Sequence, residues 1–280
     1  MWLSRNPCTA LFVVCGLASG CLRSGEPADD PVDGIPDVPR TTLDIPVSTN
    51  GMNPLDFWAP ANQQALRDMG AAALLREGGV LWATPLLDTA AGRSILGYTL
   101  GCALGDGATV QSVTGYMFAG NLALAPGWTG RSLTTSEQRW VTACLLDHLN
   151  GLNVTVPILM VGDHQALALH PGDDVSGYTI HDMTAFGNLF LGSPTAYLCV
   201  DLDICLACGV GYSTYTLQRI CGASATCGAT HLGVCGLICA HDAAGNPTCT
   251  VPLGATYGEA IATRLQRSGA VSLYPVCSFL

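Results

Sequence analysis

The sequence contains no lysine, and all 11 of its basic residues are arginines. Chemistries that need a lysine are therefore excluded: Schiff-base and pyridoxal catalysis, the lysine-dependent phosphate loop and a lysine general base. Charge of either sign is scarce, at 11% of residues, and the net charge is −10. This balance would repel a nucleic-acid backbone, so we expect no nucleic-acid partner.

Familiar catalytic motifs are missing as well. After residue 20 the sequence has no G-x-S-x-G nucleophile elbow and no H-E-x-x-H zinc motif. The stretch "GVGYST" at 209–214 departs from the dinucleotide-binding fingerprint and reads as a glycine-rich loop. We therefore expect no cofactor, and the sequence favours a protein that is not an enzyme.

The first 20 residues have the layout of a signal peptide, with Arg5 before an apolar run from Ala10 to Ala18. This run is too short for a comfortable membrane span. The residues that follow, "ASGC", resemble a bacterial lipobox, in which small residues precede a cysteine that is acylated. The prediction is a palmitate-type anchor on Cys21 that holds the chain to the lipid bilayer. Leu22 after it favours the outer membrane, on its periplasmic or surface face. The alternative is an ordinary signal peptide with a chance cysteine.

Residues 21–50 are predicted to form a tether. Between Glu26 and Pro46 lie five prolines and six acids, a composition that cannot bury enough apolar surface to fold. The folded part would then begin at about residue 51, and the 49% of hydrophobic residues in the chain suffices for one large core.

Residues 51–198 are predicted to form an α+β core, with helices packed on a small, mostly antiparallel sheet. Helices are expected from Pro60, over 88–104 and after Thr134, which forms a capping box with Glu137. Gly151 is expected to supply the C-terminal stop of the third helix. A hairpin is expected to turn near Gly115. A strand at 153–161 contains Pro157, which favours an edge position or a bulge.

Residues 199–280 are predicted to form a loop-rich, disulfide-stapled region packed on that core. If Cys21 carries lipid, eleven cysteines remain after it. In an exported protein these are candidates for disulfides: Cys102, Cys144, Cys199, Cys205, Cys208, Cys221, Cys227, Cys235, Cys239, Cys249 and Cys277. Since eleven is odd, at most five bridges can form among them. Cys102 and Cys144, both on inward helical faces, are the best single pair. His148 lies one turn after Cys144 and could form a metal-ligand pair with it, but we expect a hydrogen-bonded core residue there.

Zinc is the alternative for some of these cysteines. "CLAC" at 205–208 has the spacing of a zinc half-site, and "HLGVCGLICAH" at 231–241 could complete it. Because export favours oxidation, we expect Cys235 and Cys239 to be bonded to different partners, with His231 and His241 as bystanders. A second possible metal set consists of His164, His170, Asp173 and Asp174, but we expect these residues to form a polar loop after a strand and to hold no metal.

A central block, "GNLALAPGWTGRSLTTSEQRWVTACLLDHLNGLNVTVPI" at 120–158, resembles a family of uncharacterised, cysteine-rich exported lipoproteins of myxobacterial type. Supporting matches are "STNGM" (48–52), "LGYTLGCALGDG" (96–107), "FGNLF" (186–190), "RICG" (219–222) and "ATRLQ" (262–266). The resemblance implies a compartment and a disulfide-rich architecture, and no activity.

Two functions follow. The first is a non-catalytic binding or scaffold module, anchored at the cell envelope, whose protein or glycan ligand the sequence does not identify. The second is a secreted hydrolase, possibly metal-dependent, whose Asp and His groups come together only in the fold. Convergence of His164, His170 or His181 on a carboxylate in a deep pocket would favour the hydrolase.

Overall fold

A computed structural model describes residues 45–222, 226–252 and 254–279. The predicted signal peptide, the predicted acylation site Cys21 and the predicted tether up to residue 44 lie outside the described residues. No helix within these ranges is both long and apolar enough to cross a membrane.

The described elements alternate along the chain without a regular β-α-β rhythm. The helices are α1 Pro54–Phe57, α2 Pro60–Gly70, α3 Ala90–Ala103, α4 Thr135–Asp147, α5 Leu202–Cys208, α6 Tyr212–Cys221 and α7 Arg267–Leu273. The strands are β1 Val47–Asn50, β2 Val80–Leu81, β3 Thr109–Ser112, β4 Met117–Ala119, β5 Val156–Val161, β6 Ile180–Asn188, β7 Thr195–Val200, β8 Thr230–Val234, β9 Cys239–His241, β10 Pro247–Thr250, β11 Thr256–Tyr257 and β12 Ala260–Leu265.

The core is built on a six-stranded sheet of order β1-β5-β12-β6-β7-β8. All neighbours are antiparallel except the β7–β8 pair. The residues of β6 from Asp182 to Asn188 are all buried, which indicates that both faces of this central strand are covered. Helix α4 packs on β6 and β12. The prediction of an α+β fold with a mostly antiparallel sheet is confirmed.

Both predicted domain boundaries cut through this sheet. Strand β1 occupies Val47–Asn50, inside the stretch assigned to the tether, so the folded body starts before residue 50. Strand β12 lies between β5 and β6, so the last part of the chain completes the central sheet instead of packing on a finished core. That part also contains α5, α6 and α7, more regular structure than a loop-rich region implies.

Local sequence signals account well for the elements of the first half. Thr134 Oγ1 accepts a hydrogen bond from the backbone N–H of Glu137 at 3.3 Å, and Glu137 Oε2 accepts one from the N–H of Thr134 at 2.9 Å, which confirms the capping box of α4. Strands β3 and β4 form the expected hairpin, and Gly115 has a φ of 88° in its turn.

Two local predictions were wrong. Pro157 is not on an edge strand, because β5 lies between β1 and β12; it is tolerated near the start of β5, before the pairing with β12 begins at Ile158. Gly151 does not terminate α4, which ends at Asp147 with His148 as its C-cap. A Cβ on Gly151 would lie 2.4 Å from the carbonyl oxygen of Gln218, so this glycine permits the close approach of α6.

Five disulfides connect ten of the eleven candidate cysteines: Cys102–Cys144, Cys199–Cys235, Cys208–Cys277, Cys221–Cys227 and Cys239–Cys249. The predicted bridge between α3 and α4 is confirmed. Cys205 is buried and is also disulfide-bonded. The cysteines of the described chain thus serve as covalent cross-links.

We expect the Cys102→Ser/Cys144→Ser double variant to lose about 2–5 kcal/mol of unfolding free energy, because its bridge closes a loop with a sequence separation of 42. The matched control is Cys221→Ser/Cys227→Ser, whose separation is 6 and whose loss should be smaller. Urea titration measures both. An equal loss in the two variants would contradict the loop-length argument.

Candidate functional site

The largest group of charged side chains inside the protein surrounds Arg219. Residues Tyr212, Thr216 and Arg219 follow one another at helical spacing on the buried face of α6, which brings the guanidinium into the core. There it forms an ion pair with Asp182 on β6, and no more than 1% of either side chain is exposed to solvent. Burial lowers the pKa of Arg219, but the charges and hydrogen bonds of Asp182 and Tyr274 together outweigh this effect, and the pKa is raised.

Two hydroxyl groups complete the set of hydrogen-bond donors around the carboxylate of Asp182. Tyr274, at the end of α7, donates its hydroxyl to Asp182 Oδ1 at 2.8 Å, and Thr263 on β12 donates to Oδ2 at 3.2 Å. Burial, together with the negative charge of Asp182, raises the pKa of Tyr274. Because the carboxylate is fully partnered and enclosed, this cluster stabilises the fold and is inaccessible to a substrate.

Asp147 is the exception in this region, since its carboxyl group is fully buried and no described residue hydrogen-bonds to it. Arg219 contacts only its backbone carbonyl, at 3.4 Å. Burial raises the pKa of Asp147 well above 3.8, although the charge of Arg219 acts in the opposite direction. Burial therefore favours the neutral form of this carboxyl group over its charged form.

His148 lies next to the α3–α4 disulfide, as its position on the inward face of α4 predicted. Its Nδ1 donates to the carbonyl oxygen of Cys144 at 2.7 Å, and its Nε2 accepts from the hydroxyl of Ser48 on β1 at 2.7 Å. These bonds assign the Nδ1–H tautomer. Burial lowers its pKa to about 4. The predicted role as a hydrogen-bonded core residue is confirmed.

The second predicted metal set is dispersed over the loop after β5. His164 Nδ1 accepts from the N–H of Ala166 at 3.1 Å and so caps a short 3-10 helix. His170 is exposed, and its N–H donates to Asp173. Asp174 accepts from the backbone and hydroxyl of Ser176. No potential metal-binding group found among the described residues includes any of these four side chains.

Two histidines approach carboxylates. The exposed ring of His170 has its Nδ1 3.8 Å from Asp173 Oδ2, in the loop after β5. His181 Nδ1 lies 3.9 Å from Asp203 Oδ2, and Asp201 is close enough to complete a group of three possible metal ligands. The group is on the surface, where Asp201 and Asp203 already accept backbone hydrogen bonds from Leu202 and His181. None of the cavities described below is lined by these residues. As expected from their adjacency in a strand, His181 is exposed whereas Asp182 is buried.

The cysteines and histidines of the alternative zinc site, at 205–208 and 231–241, do not form a metal site among the described residues either. Cys208 is bonded to Cys277, while Cys235 and Cys239 are bonded to Cys199 and Cys249 respectively. The prediction of different partners for Cys235 and Cys239 is confirmed. His231 lies beside the ring of Tyr212, 6.0 Å between centroids, and His241 is exposed.

A surface pocket lies between α2 and the segment around β2. Its volume is about 160 Å³ and it is mainly apolar, with Met69, Leu74 and Leu81 among its walls. Trp82 lines it and is 53% exposed. Asp68, in the last turn of α2, is the one titratable side chain in the lining.

Two broader depressions lie elsewhere. One is bounded by Trp58 and the Cys221–Cys227 disulfide, and the other by Asn150, Asn153 and Gly222. Neither has a histidine or a carboxylate in its lining. The three cavities therefore contain no acid–base pair.

Sequence reasoning missed both the Arg219 cluster and the Trp82 pocket. The Arg219 cluster could have been found from the sequence, because Arg219 occupies a core position in a helical pattern. The evidence for the Trp82 pocket was weaker: Trp82 follows a strand of two residues, and so short a strand offers little surface to cover the indole.

Comparison with known proteins adds no family assignment: no family model matches the chain, and no curated protein or solved structure matches it.

We expect Asp182→Asn to lower the unfolding free energy by about 3–5 kcal/mol, because it leaves the charge of Arg219 buried without a counter-ion. Asp147→Asn should be much milder, since an amide replaces an acid that is already neutral. Chemical denaturation at pH 4 compares the two. A larger loss for Asp147→Asn would contradict the assignment of the ion pair.

The pH dependence tests the state of Asp147. Its pKa is raised in the folded protein, so its stabilising contribution is complete below about 3.8 and is lost as the pH rises through the folded value. Relative to Asp147→Asn, the wild type should lose up to about 1.4 kcal/mol per pH unit above that point. Denaturation from pH 4 to 7 measures this difference, and a constant difference would contradict the raised pKa.

Proposed function

We propose that this protein is an exported lipoprotein, anchored through an acylated Cys21 to the outer membrane, and that it acts as a non-catalytic binding module at the cell envelope. The tether would hold the folded body away from the bilayer. The resemblance to exported lipoproteins of myxobacterial type agrees with this proposal.

The proposal that the protein is non-catalytic rests on one observation: its reactive groups are separated from its cavities. A hydrolase needs a general base and an acid or nucleophile facing its substrate. Here the side chains with the most strongly shifted pKa values, including Asp147 and His148, are enclosed in the core. The cavity at Trp82 presents one carboxylate on an otherwise apolar lining.

The disulfides support the proposed location outside the cytoplasm. Structural disulfides persist in oxidising environments and are rare in the cytosol. Five bridges in one body, with Cys102, Cys144, Cys199 and Cys249 completely buried, suit a protein that works outside the cytoplasm.

The hydrolase alternative draws its support from the group formed by His181, Asp201 and Asp203. A metal held there would be on an open surface, and none of the described cavities adjoins it. Catalysis by a bound metal also requires a shaped site that excludes bulk water. We therefore prefer the binding module.

Cys21→Ser should move the protein from the membrane fraction to the soluble fraction of cells that express the full chain, because the variant has no thiol to acylate. The intact mass of the wild type should include fatty acyl groups. Cys15→Ser is the matched control and should remain with the membrane, since that residue belongs to the predicted signal peptide. Unchanged partition of Cys21→Ser would refute the anchor.

A further inference from the structure

We propose that the pocket at Trp82 binds a small quaternary ammonium ion of the choline type, with the trimethylammonium group against the indole ring and the carboxylate of Asp68. The inference rests on the proposed function in treating the protein as a binding module, and it specifies the ligand class. Three features of the pocket support it.

The first is the state of the indole ring. Trp82 is 53% exposed, whereas aromatic side chains of this size are usually covered. The described aromatic and cation–π contacts involve other rings, and the guanidinium groups of Arg93 and Arg139 lie over Tyr116 and Tyr257. No described ring or guanidinium group is stacked on the indole of Trp82, and tryptophan is the best cation–π acceptor among the side chains.

The second feature is the charge at the rim. Asp68 lies in the last turn of α2, at the negative end of the helix dipole, where a carboxylate is unfavourable and a cation is favoured. It accepts a hydrogen bond from Gln64 at 2.8 Å but forms no ion pair with a described residue. Arg67 is hydrogen-bonded to Gln64, and neither Arg67 nor Arg76 lines the pocket.

The third feature is the combination of size and polarity. The volume of about 160 Å³ is well below the roughly 300–1,000 Å³ of sites for drug-sized ligands, so the pocket suits a head group. Its apolar walls, including Met69, Leu74 and Leu81, favour methyl groups over a strongly hydrated ammonium. A methylated cation can pack its methyl groups on the apolar walls while its charge interacts with both the indole ring and the carboxylate. The net charge of −10 favours its approach.

The test compares choline with 3,3-dimethylbutan-1-ol, a neutral molecule of the same shape, at constant ionic strength. Binding is followed through the indole N–H signals of the ¹⁵N-labelled wild type, with calorimetry for affinity. We expect choline to bind about five- to tenfold more tightly than the neutral analogue, and one indole signal to shift. Equal affinity for the two molecules would overturn the proposal, because the pocket would then recognise only shape.

Variants assign the binding to the two side chains. Trp82→Leu keeps an apolar wall but removes the π face, and it should weaken choline binding about tenfold while Trp82→Phe retains part of the affinity. Asp68→Asn should weaken it several-fold. Asp88→Asn is the matched control, because it removes the same charge from an exposed position outside the lining, and it should leave the affinity nearly unchanged.

Unchanged choline binding in Trp82→Leu, or equal effects of Asp68→Asn and Asp88→Asn, would refute the site. Because Trp82 and Asp68 are exposed, the variants should keep the far-ultraviolet circular dichroism of the wild type. Failure of choline to bind leaves the acylation and partition of Cys21 untouched, so the ligand and the proposed function are tested separately.

Discussion

The enclosed charge of Arg219 is the constraint on which the packing of the chain depends. A buried guanidinium is tolerated only when a counter-ion and hydrogen-bond acceptors surround it. These partners come from β6, from the chain just after α7 and from the carbonyls of Asp147 and Leu149 near the end of α4. Elements far apart in sequence must therefore meet at one point, and a slip of β6 by one residue would move Asp182 to the opposite face of the sheet, away from Arg219.

The same meeting point explains how the two halves of the chain form one body. Thr263 contributes to the shell of Asp182 from β12, the strand that lies between β5 and β6. The α3–α4 disulfide contacts His148, whose Nε2 accepts a hydrogen bond from Ser48 of β1. The C-terminal end of α4 is thus bonded both to the first strand and to Arg219. Neither a tether that includes β1 nor a separate C-terminal region is compatible with these contacts.

The parts of the fold that the sequence predicted are those determined by neighbouring residues. The capping box of Thr134, the turn at Gly115 and the inward face that pairs Cys102 with Cys144 depend on local spacing alone. The position of β12 in the middle of the sheet depends on pairing across about 80 to 100 residues, as between Ala262 and Thr184 or Val161, and no local pattern encodes it. The Arg219–Asp182 pair was missed for the same reason, and the Trp82 pocket because exposure becomes visible only after packing.

Among the described residues, the titratable groups with strongly shifted pKa values lie in the core and not in the linings of the three cavities. Active sites use burial and neighbouring charges to shift pKa values where a substrate can reach the group. In this chain the same forces act on Asp147, His148 and Tyr274, yet these side chains are almost completely enclosed. When no substrate can reach a group, its shifted pKa is a consequence of packing. What a partner can reach instead is an uncovered indole beside an uncompensated carboxylate, and such a surface can select a ligand by charge without changing it.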